Sequence, residues 1–266
     1  MHLALTTLLN RMDSPSLAAT SVIKWSAPVP SFGDLSTSLV ATIGLNPSNR
    51  EFVDDLGKEL CHADRRFHTL GSLGLDAWSE ADTRHLQLIL LSCSGYFRNN
   101  PYDRWFKKLD QIVSGTSASF YADLYPACHL DLIPYATSVK WMDLDQKERT
   151  ALLNATADAL GLLLRDSPVR VVILNGKTVV EQFQYAAAAV LDKKEMPDWS
   201  LPRGSGRDVA GFSYVGEISQ LADVQLNREL LVLGYNHNIQ SSFGVTTQAI
   251  NAIREWVAGQ TAGVLR

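Results

Sequence analysis

The chain has 266 residues, of which 46% are hydrophobic and 20% are charged, as is usual for a soluble globular protein. Its net charge of -4 excludes a globally basic surface, so any contact with nucleic acid must come from a local patch. The three cysteines, Cys61, Cys93 and Cys128, are too few and too far apart for a disulfide framework or a four-cysteine metal site. The first residues lack the order of a signal peptide, and no apolar run has the length of a membrane span. We therefore expect a cytoplasmic protein that does not contact membranes.

The sequence predicts two unequal regions. Residues 1–38 combine a short amphipathic segment, Leu3 to Met12, with a stretch rich in serine and proline, and we expect them to form a peripheral N-terminal arm. Residues 39–266 show no internal repeat and no low-complexity tract, and we expect them to form a single domain.

Four apolar, β-branched runs are typical of buried strands. They are Leu39 to Ile43, Cys128 to Pro134, Val169 to Leu174 and Glu229 to Tyr235. Helical patterns lie between and after them, at Glu80 to Leu91, at Gln146 to Arg165, through Val179, Val180 and Phe183 after the turn Asn175-Gly176-Lys177, and at Thr247 to Val257. A further helix is plausible at Phe52 to Leu60, and a looser stretch runs from Met196 to Gly216. This alternation predicts an α/β fold, a three-layer αβα sandwich around a central, mainly parallel sheet of four strands.

The segment Gly95 to Phe106 mixes aromatic rings with Arg98 and Arg104. Such a mixture can grip a nucleic-acid backbone and stack on bases. An ordinary amphipathic helix with its rings in the core has the same composition, and the sequence leaves both interpretations open.

Three of the predicted strands are followed by polar side chains at their tips, namely Asn46, Asp131 and His237. The carboxyl ends of parallel strands meet at one edge of the sheet, so three distant tips can surround one pocket. The alternatives are a turn asparagine bonded to its own backbone, a carboxylate paired with an arginine or lysine of a neighbouring loop, and a surface histidine.

These residues carry a family resemblance. The turn Gly44-Leu-Asn-Pro47 resembles the first motif of the uracil-DNA glycosylase superfamily, in particular its mismatch-specific and single-strand-selective branches. Asp131-Leu-Ile-Pro134 is similar to the strand that carries the base-reading asparagine there, and Leu174-Asn-Gly-Lys177 to the following strand-to-helix turn. His237-Asn-Ile-Gln-Ser-Ser242 stands where the family has its histidine loop, although no proline follows His237, and Ser48 replaces the usual glycine or tyrosine.

The resemblance implies a role for each matching residue. Asn46 would hold the water that attacks C1′ of the deoxyribose, and His237 would donate a hydrogen bond to O2 of the departing pyrimidine. Gly44, Leu45 and Phe52 would contact the extruded base, with the ring of Phe52 stacking on it unless it is a core phenylalanine.

The resemblance also implies DNA contacts around the pocket. Ile239 or Phe243 would be the apolar wedge that fills the gap left by the base. The remaining expected DNA contacts are Ser48, Lys177, Asn238, Ser241 and Ser242.

Asp131 departs from the resemblance, because the uracil readers carry asparagine there. An amide both donates and accepts, whereas an ionised carboxylate only accepts and would repel O4 of uracil or thymine. A carboxylate suits the exocyclic amine of cytosine. Because removal of normal cytosine would destroy the host genome, we expect a cytosine with a bulky 5-substituent, such as the hydroxymethylated or glucosylated base of some phage DNAs.

The sequence thus predicts a monomeric, monofunctional DNA glycosylase that needs no metal or cofactor, leaves an abasic site and serves antiviral defence. No lysine occupies the matching water-holding or base-reading position, so no Schiff-base lyase step is expected. Two alternatives remain open: a uracil or mismatched-thymine glycosylase with Asp131 protonated or structural, and a catalytically silent module that binds DNA or a partner on the same fold.

Overall fold

The computed structural model describes residues 1–98, 100, 102–203, 206 and 208–265. Within them the strands are β1 (Val40–Gly44), β2 (Ala127–Asp131), β3 (Val171–Asn175), β4 (Asp192–Glu195), β5 (Phe212–Leu221) and β6 (Val224–Tyr235). The α-helices of the same residues are α1 (His2–Met12), α2 (Pro15–Ala18), α3 (Leu70–Leu73), α4 (Thr83–Ser94), α5 (Asp103–Val113), α6 (Gln146–Thr156), α7 (Ala159–Arg165), α8 (Lys177–Ala187) and α9 (Thr247–Thr261).

The six strands form one mixed sheet in the order β2-β1-β3-β6-β5-β4. The first four in that order are parallel, while β5 and β4 add an antiparallel edge. The α/β class is therefore confirmed, but the expected count of four strands is wrong. β4 was missed because it is a fully exposed Asp-Lys-Lys-Glu segment without an apolar pattern, and β5 because it begins inside the stretch predicted to be loose.

Side chains alternate along each strand, so each parallel strand contributes to a core on both faces of the sheet. Ala41 and Ile43 of β1 pack with α7 and α8 on one face, and Val40 packs with α4, α5 and α9 on the other. Thr42 therefore points to the same face as Val40, as do His129 and Asp131 of β2 by their register with β1. This second face, with α5 above it, carries the candidate site.

Several helix boundaries differ from expectation. The segment expected at Phe52 to Leu60 is a turn, because Oδ1 of Asp54 accepts the backbone N–H groups of Leu56 and Lys58, both at 2.9 Å, and so replaces helical hydrogen bonds. The long helix expected at 146–165 is two helices that meet at Asp158, whose carboxylate pairs with both Nη atoms of Arg11.

The N-terminal segment expected to be peripheral supplies core residues, since Leu5, Leu8 and Leu9 of α1 are buried. In the described part of the chain, no helix is both long and apolar enough to cross a membrane.

Candidate functional site

Two adjoining cavities open at the carboxyl ends of the parallel strands. The larger, which we call the strand-end cavity, has a volume of about 950 Å³ and is lined by the turn 44–51 together with Asp131, His129, Tyr102 and Trp105. The smaller, the side cavity, has a volume of about 510 Å³ and shares residues 44–49 with the first. These volumes fall in the range of about 300–1,000 Å³ typical of small-molecule sites. The position is the one that open α/β sheets use for ligands.

Asn46 is held with its amide in a defined orientation. Its Nδ2 lies 2.9 Å from Oγ1 of Thr137 and 3.1 Å from the carbonyl of Pro47. Thr137 gives its only hydroxyl proton to the carbonyl of Val139, at 2.7 Å, so it can only accept from Asn46. The nitrogen of Asn46 therefore faces Thr137, and Oδ1 of this cavity-lining side chain accepts no hydrogen bond from the described residues.

Asp131 ends β2 directly beside Gly44, the last residue of β1, and is only 4% exposed. Nε2 of His129 lies 3.5 Å from its Oδ1, a distance too long for a strong hydrogen bond. His129 is held in turn by Thr42, whose Oγ1 lies 2.7 Å from Nδ1. Among the described residues no arginine or lysine pairs with Asp131, so its carboxylate can accept hydrogen bonds from a ligand in the strand-end cavity.

The sequence analysis overlooked a second acid in this cavity, Glu51, which is 2% exposed. Burial raises its pKa to about 8, and the negative charge of Asp131 adds to the shift, while the hydroxyl of Tyr96 and the charge of Arg66 oppose it. Tyr96 donates to Oε1 at 2.8 Å, whereas Oε2 is buried with no partner among the described residues. A buried acid with a perturbed pKa in a cleft indicates a functional site.

Phe52 does not line either cavity and is a core residue. Its ring contacts Trp25 and Phe67 and is 1% exposed, so the expectation that it stacks on a base is wrong. The aromatic wall comes instead from Tyr102 and Trp105, in the segment for which two interpretations were open.

In that segment, Gly95 to Phe106, the rings of Tyr96 and Phe106 are buried, as the core interpretation predicts. Tyr102 and Trp105 are only partly buried and face the cavity. Asn99 and Pro101 of the same segment lie outside the described residues.

His237 is not brought together with Asn46. Its ring is 3% exposed and does not line either cavity, and its Nε2 lies 2.8 Å from the carbonyl of Trp199. Burial lowers its pKa, and the hydrogen bond to that carbonyl opposes the shift. The expectation that His237 donates to a base is corrected for this reason: its Nε2 is already bonded to the protein backbone.

The middle of the loop after His237 contributes residues to the side cavity. Asn238 and Ser241 line the side cavity, and Oδ1 of Asn238 caps the turn by accepting the N–H groups of Gln240 and Ser241. Ser242 donates its N–H to the carbonyl of Asn238. This loop packs against the turn between β3 and α8, where Gly176 has a φ of +100° and would place a Cβ 3.1 Å from Cβ of Asn238.

The two wedge candidates separate clearly. Ile239 is fully buried, which excludes it as a wedge, whereas Phe243 is 74% exposed with the guanidinium of Arg203 over its ring.

Lys177 lines the side cavity and forms an ion pair with Glu181 at 3.5 Å. Ser48 lines both cavities and accepts from the hydroxyl of Tyr102 at 3.0 Å. Gly44 and Leu45 line both as well.

Neither a scan against protein-family models nor a search of curated proteins finds a match to this chain.

Proposed function

We propose that this protein is a monofunctional DNA glycosylase that hydrolyses the N-glycosidic bond of a 5-substituted cytosine and leaves an abasic site. The observation that carries the proposal is the pairing of an oriented amide acceptor, Asn46, with an acceptor-only carboxylate, Asp131, in one cavity large enough for a flipped nucleotide.

The two residues act on different parts of the nucleotide. Oδ1 of Asn46 holds a water molecule against C1′ of the deoxyribose; because an amide is a poor base, its contribution is positioning. Such positioning suffices when the glycosidic bond breaks first and the sugar takes on oxocarbenium character. Asp131 accepts from the exocyclic amine of the base, which excludes uracil and thymine because both present O4 at that place.

The surroundings suit a flipped base. Trp105 and Tyr102 offer rings for stacking inside the cavity, and Lys140 lines both cavities. Phe243 is an exposed ring two residues after the cavity-lining Ser241, which suits the wedge that fills the vacated stack. With a net charge of -4, binding to the phosphate backbone depends on such local cations. A 5-substituted cytosine as substrate is the reason for proposing a role in antiviral defence.

The test uses duplexes that carry uracil, cytosine, 5-hydroxymethylcytosine or glucosylated 5-hydroxymethylcytosine at one position. Each is incubated with the protein and treated with alkali, which breaks the strand at abasic sites. We expect breaks at one or both of the 5-substituted cytosines. Breaks only at uracil would replace the substrate with that of a repair enzyme, and no breaks in any duplex would favour a module that binds without catalysis.

A second experiment tests whether the protein lacks a lyase step, because Lys140 lines the cavity and a lysine amine can form a Schiff base with the sugar. Borohydride is added during the reaction to trap a Schiff base between a lysine and the sugar. We expect no trapped protein–DNA adduct; an adduct that disappears in Lys140→Ala would assign a lyase step to that lysine.

A further inference from the structure

The inference concerns Glu51 and rests on the proposed glycosylase function. Glu51 belongs to the 3-10 turn Asn49–Glu51, which follows the Gly44 to Ser48 turn and is capped by Oγ of Ser48 accepting from the N–H of Arg50. This turn brings Glu51 into the lining of the same cavity as Asn46 and Asp131, with its side chain buried.

The proton on Glu51 can be placed by elimination. Tyr96 keeps its own proton, because burial and the adjacent Glu51 raise the pKa of its phenol, so its hydroxyl is the donor to Oε1 of Glu51. The carbonyl oxygen of a carboxylic acid is a better acceptor than its hydroxyl oxygen, so we assign Oε1 as the carbonyl oxygen and Oε2 as the oxygen that carries the proton. Oε2 is the atom left without a hydrogen-bond partner in the described part of the chain.

The charged and titratable groups around Glu51 come from four segments. Tyr96 lies in the 3-10 turn Tyr96–Arg98, and Tyr102 is the residue before α5. Arg66 donates to the carbonyl of Arg50, and Asp131 ends β2. Burial outweighs the attraction of Arg66, so the neutral acid is the dominant form at neutral pH. A buried acid hydroxyl without an acceptor is costly, and a ligand that supplies an acceptor removes that cost.

We propose that Glu51 is a second catalytic residue, whose Oε2–H donates to the O2 or N3 acceptor edge of a cytosine-type base while Asp131 accepts from the exocyclic amine of that base. A donor beside an acceptor is complementary to cytosine, which presents an amine next to N3. Uracil presents a carbonyl next to N3–H and mismatches both groups. Glu51 thus takes the role that the resemblance assigned to His237.

The bond changes are as follows. The bond between C1′ and the ring nitrogen breaks, and its electron pair passes into the base. The proton of Glu51 Oε2 moves to O2 or N3, so the base leaves neutral. The water held by Asn46 bonds to C1′ and gives a proton to solvent, and Glu51 regains a proton from solvent. The products are the free base and the abasic sugar.

The experiment measures kcat and KM against pH with a 5-hydroxymethylcytosine duplex for wild type, Glu51→Gln and Tyr96→Phe. For wild type we expect kcat/KM to fall as pH rises through about 8, where Glu51 of the free protein loses its proton. Glu51→Gln keeps the shape and a donor but has no acid proton, so kcat falls by about 100-fold, KM changes little and the alkaline fall disappears. Tyr96→Phe removes a hydrogen bond that favours the charged form, so its alkaline fall moves to higher pH.

Asp110→Asn is the matched control, because Asp110 is a partly buried carboxyl of α5 that does not line either cavity. It should leave both kcat and the alkaline fall unchanged. A Glu51→Gln protein with the wild-type rate and the wild-type alkaline fall would overturn the inference and leave the glycosylase proposal in place.

A binding experiment, which does not need turnover, distinguishes failure of the inference about Glu51 from failure of the glycosylase proposal. Free 5-hydroxymethylcytosine is titrated into wild type and Glu51→Gln, and we expect wild-type affinity to fall above about pH 8 while that of Glu51→Gln stays constant. If no duplex is cleaved but this pattern is found, the catalytic proposal fails and recognition by Glu51 stands. The same pH dependence in both proteins, or no binding by either, overturns the role of Glu51.

Discussion

Gly44 and Asp131 lie side by side at the ends of β1 and β2, so close that a Cβ on Gly44 would be 2.3 Å from Oδ1 of Asp131. The same Cβ would lie 2.8 Å from Nε2 of His129. Only glycine fits between the two strands here, and the carboxylate occupies the space that its missing side chain leaves. The turn that begins at Gly44 and the side chain of Asp131 are therefore one structural unit.

The replacement Asp131→Asn fits this space, because amide and carboxyl have nearly the same shape, but it adds a donor. We expect it to move selectivity from 5-hydroxymethylcytosine toward uracil, by roughly 10- to 100-fold in the ratio of the two kcat/KM values, as one base contact is worth about 1–3 kcal/mol. The measurement is cleavage of the two duplexes by both proteins. An unchanged ratio would mean that Asp131 does not read the base.

Thr137 fixes which end of the Asn46 amide faces the cavity. Thr137→Val keeps the side-chain volume but cannot accept from Nδ2, so the amide loses one of its two hydrogen bonds and keeps only the one to the carbonyl of Pro47. We expect kcat to fall by about 10-fold, the equivalent of one hydrogen bond, with KM nearly unchanged. Thr137→Ser retains the hydroxyl and serves as the control; equal rates for the valine and serine variants would contradict the orienting role.

His237 is expected to matter for stability rather than for the reaction. His237→Ala removes a buried ring and leaves the carbonyl of Trp199 without this partner, which typically costs about 2–4 kcal/mol. Because burial lowers the folded-state pKa of His237, its contribution is complete above the ordinary value of 6.5 and is lost as pH falls. Urea unfolding and cleavage assays on the folded fraction check both points. A variant with wild-type stability but no cleavage would restore the catalytic role.

Glu51 makes the free energy of unfolding depend on pH with a sign opposite to that of His237. Its pKa rises from 4.5 to about 8 on folding, so between these values the folded protein holds a proton that the unfolded chain has released. The free energy of unfolding then falls as pH rises, by at most about 1.4 kcal/mol per pH unit from this group. We expect Glu51→Gln to gain stability relative to wild type from about pH 5 to pH 8 in urea unfolding. If the difference in the free energy of unfolding between Glu51→Gln and wild type does not change with pH, the acid ionises normally. Glu181→Gln, at an exposed position, is the control.

The hydrophobic periodicity of the sequence predicted much of the regular secondary structure. The four parallel strands and the helices α4, α8 and α9 follow from apolar runs, and Asn46 and Asp131 follow from the rule that strand ends converge. His129 was also within reach, since alternate residues of a strand share a face and His129 stands two before Asp131.

The rest depends on contacts between segments far apart in the sequence. Glu51 gains its role from Tyr96, 45 residues later, and Thr137 meets Asn46 across 91 residues. No local pattern shows such pairs. His237 was misassigned because a polar residue after a strand looks the same in the sequence whether it faces the cavity or a carbonyl such as that of Trp199.

The most direct measurement is mass-spectrometric detection of the free base released from duplex DNA by wild type and by Asn46→Ala. We predict intact 5-hydroxymethylcytosine or its glucosylated form from the corresponding duplex with wild type, and none with a folded Asn46→Ala protein. Release of no base from any duplex, or equal release by both proteins, would contradict the account.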